Sequence, residues 1–127
     1  ERDTLLGHIM GFSEKNKCPV TFLSGDVHCA SVFKIESDQH SQARVYNATS
    51  SAVSRKPNKK FMEAMMAKDG QMAGSDQYSI ECLNVFSGSH NFMTITTDFS
   101  SASAEIHVDL HWPSEDDDVT SRRTTLE

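Results

Sequence analysis

The sequence predicts one mixed domain, α/β in the broad sense and α+β in arrangement, led by a helix and rich in strands in its second half. Three stretches carry that expectation. "RDTLLGHIMGF" sets Leu5, Leu6, Ile9, Met10 and Phe12 at the spacing of a helical stripe. Val20 to Leu23 is an unbroken apolar run, the mark of a strand covered on both faces. Further on, Ala104, Ile106, Val108, Leu110 and Trp112 alternate with Glu105, His107, Asp109 and His111. That period of two belongs to a strand with one core face and one wet face.

The other elements follow from their punctuation. Asp3 or Thr4 is available to cap the first helix, and "EKNKCP" ends it, because Pro19 cannot continue a helical ladder. "ASVFKIES" and "ARVYNATSS" read as strands joined by the polar connector "DQHSQ". "KKFMEAMMAK" puts Phe61, Met62, Met65 and Met66 on a helical face that stops at Asp69-Gly70, with methionine as adaptable packing. "GQMAGSDQ" reads as a loop, and "IECLNVF" and "NFMTITTDF" as strands around the turn "SGSH". Residues 1–112 form the expected body; residues 113–127, "PSEDDDVTSRRTTLE", are too poor in apolar groups and read as a flexible acidic tail.

Bulk properties exclude several classes. At 127 residues the chain is about one domain long and large enough for a core without disulfides. A net charge of −6 argues against a nucleic-acid partner, which needs basic surface to displace counterions. It leaves small phosphate substrates open, since metal ions supply local positive charge inside an acidic protein. Cys18, Cys29 and Cys82 are odd in number and lack C-x-x-C spacing, so they read as reduced thiols and lean toward an intracellular setting. No apolar run reaches the roughly 18 residues of a membrane span. The chain opens on Glu1 and is helical almost at once, so it is expected to be part of a longer polypeptide.

The densest chemical signal is "SGDVH". On extended backbone, residues two apart point to one side, which would bring Asp26 and His28 together at a strand's end, with Gly25 as the bend. A carboxylate oxygen and an imidazole nitrogen are ordinary ligands for zinc, iron or manganese. The plainer alternative is a turn-capping aspartate beside a hydrogen-bonded loop histidine. "NATSSAVSR" offers Ser50, Ser51 and Arg55 to a phosphate oxygen, or else is a serine-rich turn with a solvated arginine. His107, Asp109 and His111 spread over roughly 13 Å of strand, too far for one ion, and read as a solvated sheet face. Cys29 points away from His28 on a strand, which argues against a thiol nucleophile. No phosphate-binding G-x-x-x-x-G-K-[ST] loop is present.

"VTFLSGDVHCASV", followed by "YNATSSAVSRKP", resembles the C-terminal portion of PhoD-like phosphatases, which belong to the calcineurin-like metallophosphoesterases. That family carries "SGDVH" after a buried strand, where the wider superfamily has G-H-x-H. The resemblance covers Leu5 to about Pro57, and the later strands loosely. It implies the C-terminal half of a metallophosphoesterase-like β-sandwich flanked by helices. It also implies Asp26 and His28 as metal ligands, with His28 binding an ion or orienting the nucleophile. Iron with calcium, or paired zinc, iron or manganese, are the implied metals, and a phosphomonoester or phosphodiester the implied substrate. The superfamily's D-x-H, G-D-x-x and G-N-H-[D/E] motifs are absent, and "GSHN" at Gly88 to Asn91 does not reproduce the last of them. These motifs are expected in a missing N-terminal half, without which the 127 residues would be nearly inactive. The alternatives are a non-catalytic binding or regulatory module that kept the fold, and an unrelated α/β protein.

Overall fold

A computed structural model describes residues 1–54, 56, 59, 64, 68–100, 105–114 and 118–126. Helix α1 (Arg2–Asn16) buries Leu6, Met10 and Ser13. This is a narrower stripe than expected: Leu5 and Phe12 are exposed, because they sit about 100° or more around the helix from Leu6. No side chain caps the N-terminus. Asp3 instead accepts a bond from Ser75 Oγ at 2.7 Å. The C-terminus closes as expected, with Lys17 left-handed and the Cys18 amide donating to Ser13 O at 3.2 Å. Ser13 does a second job. Its hydroxyl donates to Cys18 O at 2.7 Å and accepts from the Arg44 amide at 2.9 Å, fastening the helix beside a strand start.

Among the described residues, eight strands form two sheets. The first holds β1 (Val20–Ser24), β2 (Ala30–Glu36), β3 (Val45–Ser50), β4 (Gly70–Gln71) and β5 (Ser79–Phe86) in the order β1-β3-β2-β5-β4. β1 and β3 are parallel and the other pairs antiparallel. The second is an antiparallel meander of β6 (Phe92–Asp98), β7 (Glu105–Pro113) and β8 (Val119–Leu126). With α1 as the long helix, a single turn of 3-10 helix at Asp38–His40 and two sheets, the architecture is α+β.

Alternation along β3 divides the core in two. Val45 joins Leu6, Met10, Ile35, Ala43 and Tyr78 under the helix. Tyr46 and Ala48 face the other way and join Ala30, Val32, Val108, Leu110 and Leu126 between the sheets. The sheets are also bridged at their rim. Phe86 stacks on Trp112 at 4.3 Å, and buried Asn84 bonds both Arg122 and Thr124 at 3.2 Å.

Three expectations need correction. β1 is not covered on both faces: it is the sheet's edge strand, the inter-sheet core stops at β3, and Leu23 is 63% exposed. Gly70 and Gln71, within the expected loop, pair with Ile80 and Ser79 as a short edge strand. Residues 119–126 are no flexible tail. They pair with β7 from Val119↔Pro113 to Leu126↔Ile106, and Leu126 is fully buried. Paired backbone and one apolar anchor suffice, so an otherwise polar segment forms a strand. The helix expected around Phe61, Met62, Met65 and Met66 lies outside the described residues.

Truncating Leu126 to alanine is therefore expected to cost about 2–5 kcal/mol, as for other buried leucines. Urea unfolding of Leu126→Ala checks this, and an unchanged midpoint would return the segment to a dispensable tail.

Candidate functional site

The strand order builds the site. β1 and β3 run parallel as neighbours, so both end at the same edge of the sheet, at Ser24 and Ser50. β2 lies on the far side of β3 and runs antiparallel to it. To pass from β1 to β2 the chain must step over the end of β3, and residues 25–29 make that step. The loop touches what it crosses: the His28 amide donates to Ser51 Oγ at 2.7 Å. A Cβ placed on Gly25 would meet Ser51 Cβ at 3.5 Å.

The loop's backbone differs from expectation. Strand conformation ends at Ser24, and the left-handed residues are Asp26 (φ 69°) and His28 (φ 56°), not Gly25. The same-side rule for alternate residues on extended backbone therefore does not apply to this pair. Left-handed backbone costs a residue with a Cβ roughly 1–2 kcal/mol, least for residues such as Asp and His that bond locally. Two such residues in a three-residue span form a held turn.

Below the loop lies a chain of hydroxyls. Thr49 Oγ1 donates to Asn47 Oδ1 at 2.8 Å, and Ser24 Oγ lies 2.6 Å from Thr49 Oγ1 and 3.4 Å from Asn47 Oδ1. Ser50 Oγ donates to Asn91 Oδ1 at 3.0 Å, which commits its proton. Ser51 accepts from His28 through an oxygen lone pair, which leaves its own hydroxyl proton for another acceptor. Arg55 lies outside the described residues.

A third loop reaches the same corner. Ala52 O accepts the Asn91 amide at 3.2 Å and the His90 ring at 2.9 Å. Since a carbonyl only accepts, the His90 ring donates to it through Nδ1. Sequence reasoning did not select His90 or buried Asn91 for this corner. Only the topology, which ends β3 and β5 at one edge, reveals them.

Asp26 is exposed, and its carboxylate has no hydrogen-bond or ion-pair partner among the described residues; His28 is half-buried. Oxygen and nitrogen donors of this kind suit a divalent or trivalent ion in chemistry. In number they fall short. Among the described residues no three histidine, cysteine or carboxylate side chains group to hold an ion. The site is also open. A cavity of about 440 Å³ lies beside Phe86, Ser87 and Trp112 and another of about 110 Å³ beside Val53, His90 and Phe92, and Asp26 and His28 line neither.

Two other candidates are placed by the structure. Cys29 is fully buried and burial pushes its thiol pKa up, so it is inert packing. His107, Asp109 and His111 lie on the outer face of the second sheet, but Asp109 is only 9% exposed. Arg123 covers it with two bonds of 2.8 Å, which correct the expected solvated face. His111 bonds Thr94 at 2.8 Å and His107 bonds Thr125 at 3.2 Å, so the row is tied across strands. The guanidinium bonds hold the Asp109 carboxyl below its ordinary value, with the flanking histidines adding to the effect.

Compared with protein-family models, with curated proteins and with solved structures, the chain matches none.

Two outcomes follow from these geometries. Asp26→Val is expected to destabilise the chain by about 1–2 kcal/mol while Asp26→Gly does not, because only glycine accepts this φ freely. Equal midpoints in denaturant would contradict the left-handed turn. A lowered carboxylate pKa stabilises the fold above the unfolded value near 4 and loses that contribution as pH falls through the folded value. Asp109→Asn should therefore flatten the loss of thermal stability below about pH 4; an unchanged acid limb would contradict it.

Proposed function

We propose that this chain carries part of a metal-dependent phosphoester hydrolase centre, to which Asp26 and His28 contribute an oxygen and a nitrogen donor. The observation that carries the reading is the "SGDVH" turn, which resembles the PhoD-like motif in sequence and crosses the end of β3. Open sheets with parallel strands commonly bind ligands at such strand ends. Exposed, and without a partner among the described residues, the Asp26 carboxylate is available to a cation. The remaining donors come from elsewhere in the polypeptide, and the fold is then the C-terminal portion of a metallophosphoesterase-like sandwich.

A bound iron, calcium, zinc or manganese ion supplies Lewis acidity toward water and phosphoryl oxygens. The chain's own residues do the rest. Asp26 and His28 hold the ion, or His28 orients the attacking water. Ser51, through its uncommitted hydroxyl proton, donates to a non-bridging phosphate oxygen. Ser50 acts indirectly, by tying the β3 end to Asn91.

A second reading, a non-catalytic binding or regulatory module, is favoured by donor number, since no third ligating side chain groups with these two among the described residues.

Calorimetric titration with Mn²⁺ tests the site. The native chain is expected to bind weakly and saturably, and Asp26→Asn and His28→Ala to lose about tenfold or more in affinity. Equal affinity in all three would contradict the assignment. Hydrolysis of an aryl phosphate by the longest native polypeptide containing these residues separates enzyme from module: turnover lost in His28→Ala supports the enzyme, and binding without turnover supports the module.

A further inference from the structure

We propose that Ser51 is a positioning residue for the Asp26–His28 turn, acting through the His28 amide; the proposal rests on the metal-site reading above. The hydroxyl oxygen accepts from that amide at 2.7 Å. His28 is left-handed at φ 56°, and Asp26 two residues earlier at φ 69°. Without an acceptor for its N–H, His28 has no reason to keep that conformation. Relaxation to negative φ would change the turn's backbone and, with it, the place from which the His28 side chain departs.

Ser51 is a fixed acceptor because its neighbours are fixed. Ala52 is fully buried, and its carbonyl takes both the Asn91 amide and the His90 ring. On the other side, Ser50 Oγ bonds Asn91 Oδ1, whose residue is 2% exposed. Ser51 therefore stands between two residues tied to His90 and Asn91 by three hydrogen bonds, and the loop between β1 and β2 is pinned to it. Gly25 packs on the same residue, its would-be Cβ 3.5 Å from Ser51 Cβ. The turn's shape is thus set by β3 rather than by the loop's own glycine.

The assignment separates Ser51 from a residue that only fills space. Ser51→Ala removes the acceptor and keeps the volume nearly unchanged. It is expected to speed hydrogen exchange of the His28 amide about tenfold and to weaken Mn²⁺ binding by about tenfold, as for outer partners of metal ligands. Ser51→Thr keeps the oxygen and should restore both. Ser51→Cys, similar in size and a poor acceptor, should behave as alanine does and serves if the alanine variant does not fold. Two failures are distinguishable. If the native chain binds no Mn²⁺, the metal-site reading falls and the proposal falls with it. If the native chain binds Mn²⁺ and Ser51→Ala binds it equally, with His28 exchange unchanged, only the positioning role is overturned.

Discussion

The insertion of β3 between β1 and β2 is the constraint on which the site depends. A chain that ran β1, β2, β3 in spatial order would join β1 to β2 by a tight hairpin. Here the two strands are separated by a whole strand, so their connection spans β3's end and meets the residues that leave it. The parallel pairing of β1 with β3 decides which residues these are: Ser50 and Ser51 arrive beside Ser24 because both strands finish at the same edge. The amide bond from His28 to Ser51 is the local expression of that arrangement. It lets a left-handed turn persist at two residues that carry side chains.

The layers on either side keep the edge in place. Helix α1 is sealed to the start of β3 through Ser13, and the second sheet covers the opposite face of β3 through Tyr46 and Ala48. β3 is therefore covered on both faces, and β1 hangs from it as an edge. An acidic chain with net charge −6 repels phosphate unless a cation mediates. That charge is compatible with the metal-site reading and sets no preference for a phosphate ester on its own.

Much of the fold was legible where periodicity is strong. The helix at Arg2–Asn16 and the strands at Ala30–Glu36, Val45–Ser50, Ser79–Phe86 and Phe92–Asp98 follow from apolar spacing and turn residues. The buried stripe of α1 is narrower than its apolar residues suggest, because Leu5 and Phe12 are apolar without being buried. β8 was invisible for the opposite reason: its strand is held by pairing to β7 and by Leu126, while Ser121, Arg122 and Arg123 look like tail. Burial of Asp109 also depends on a partner fourteen residues away, which no local pattern announces. At the site, "SGDVH" forms the connection between β1 and β2, and its geometry follows from φ values that residue types only permit. Register, strand order and the company of His90 and Asn91 are long-range facts, written in no single stretch.

The most direct test of the central claim is paramagnetic broadening of backbone amide signals by substoichiometric Mn²⁺. The account places the ion at the β1–β2 connection, so the amides of Asp26, His28 and Ser51 should broaden together and ahead of the rest. Broadening confined to other acidic stretches, with these three amides sharp, would contradict it.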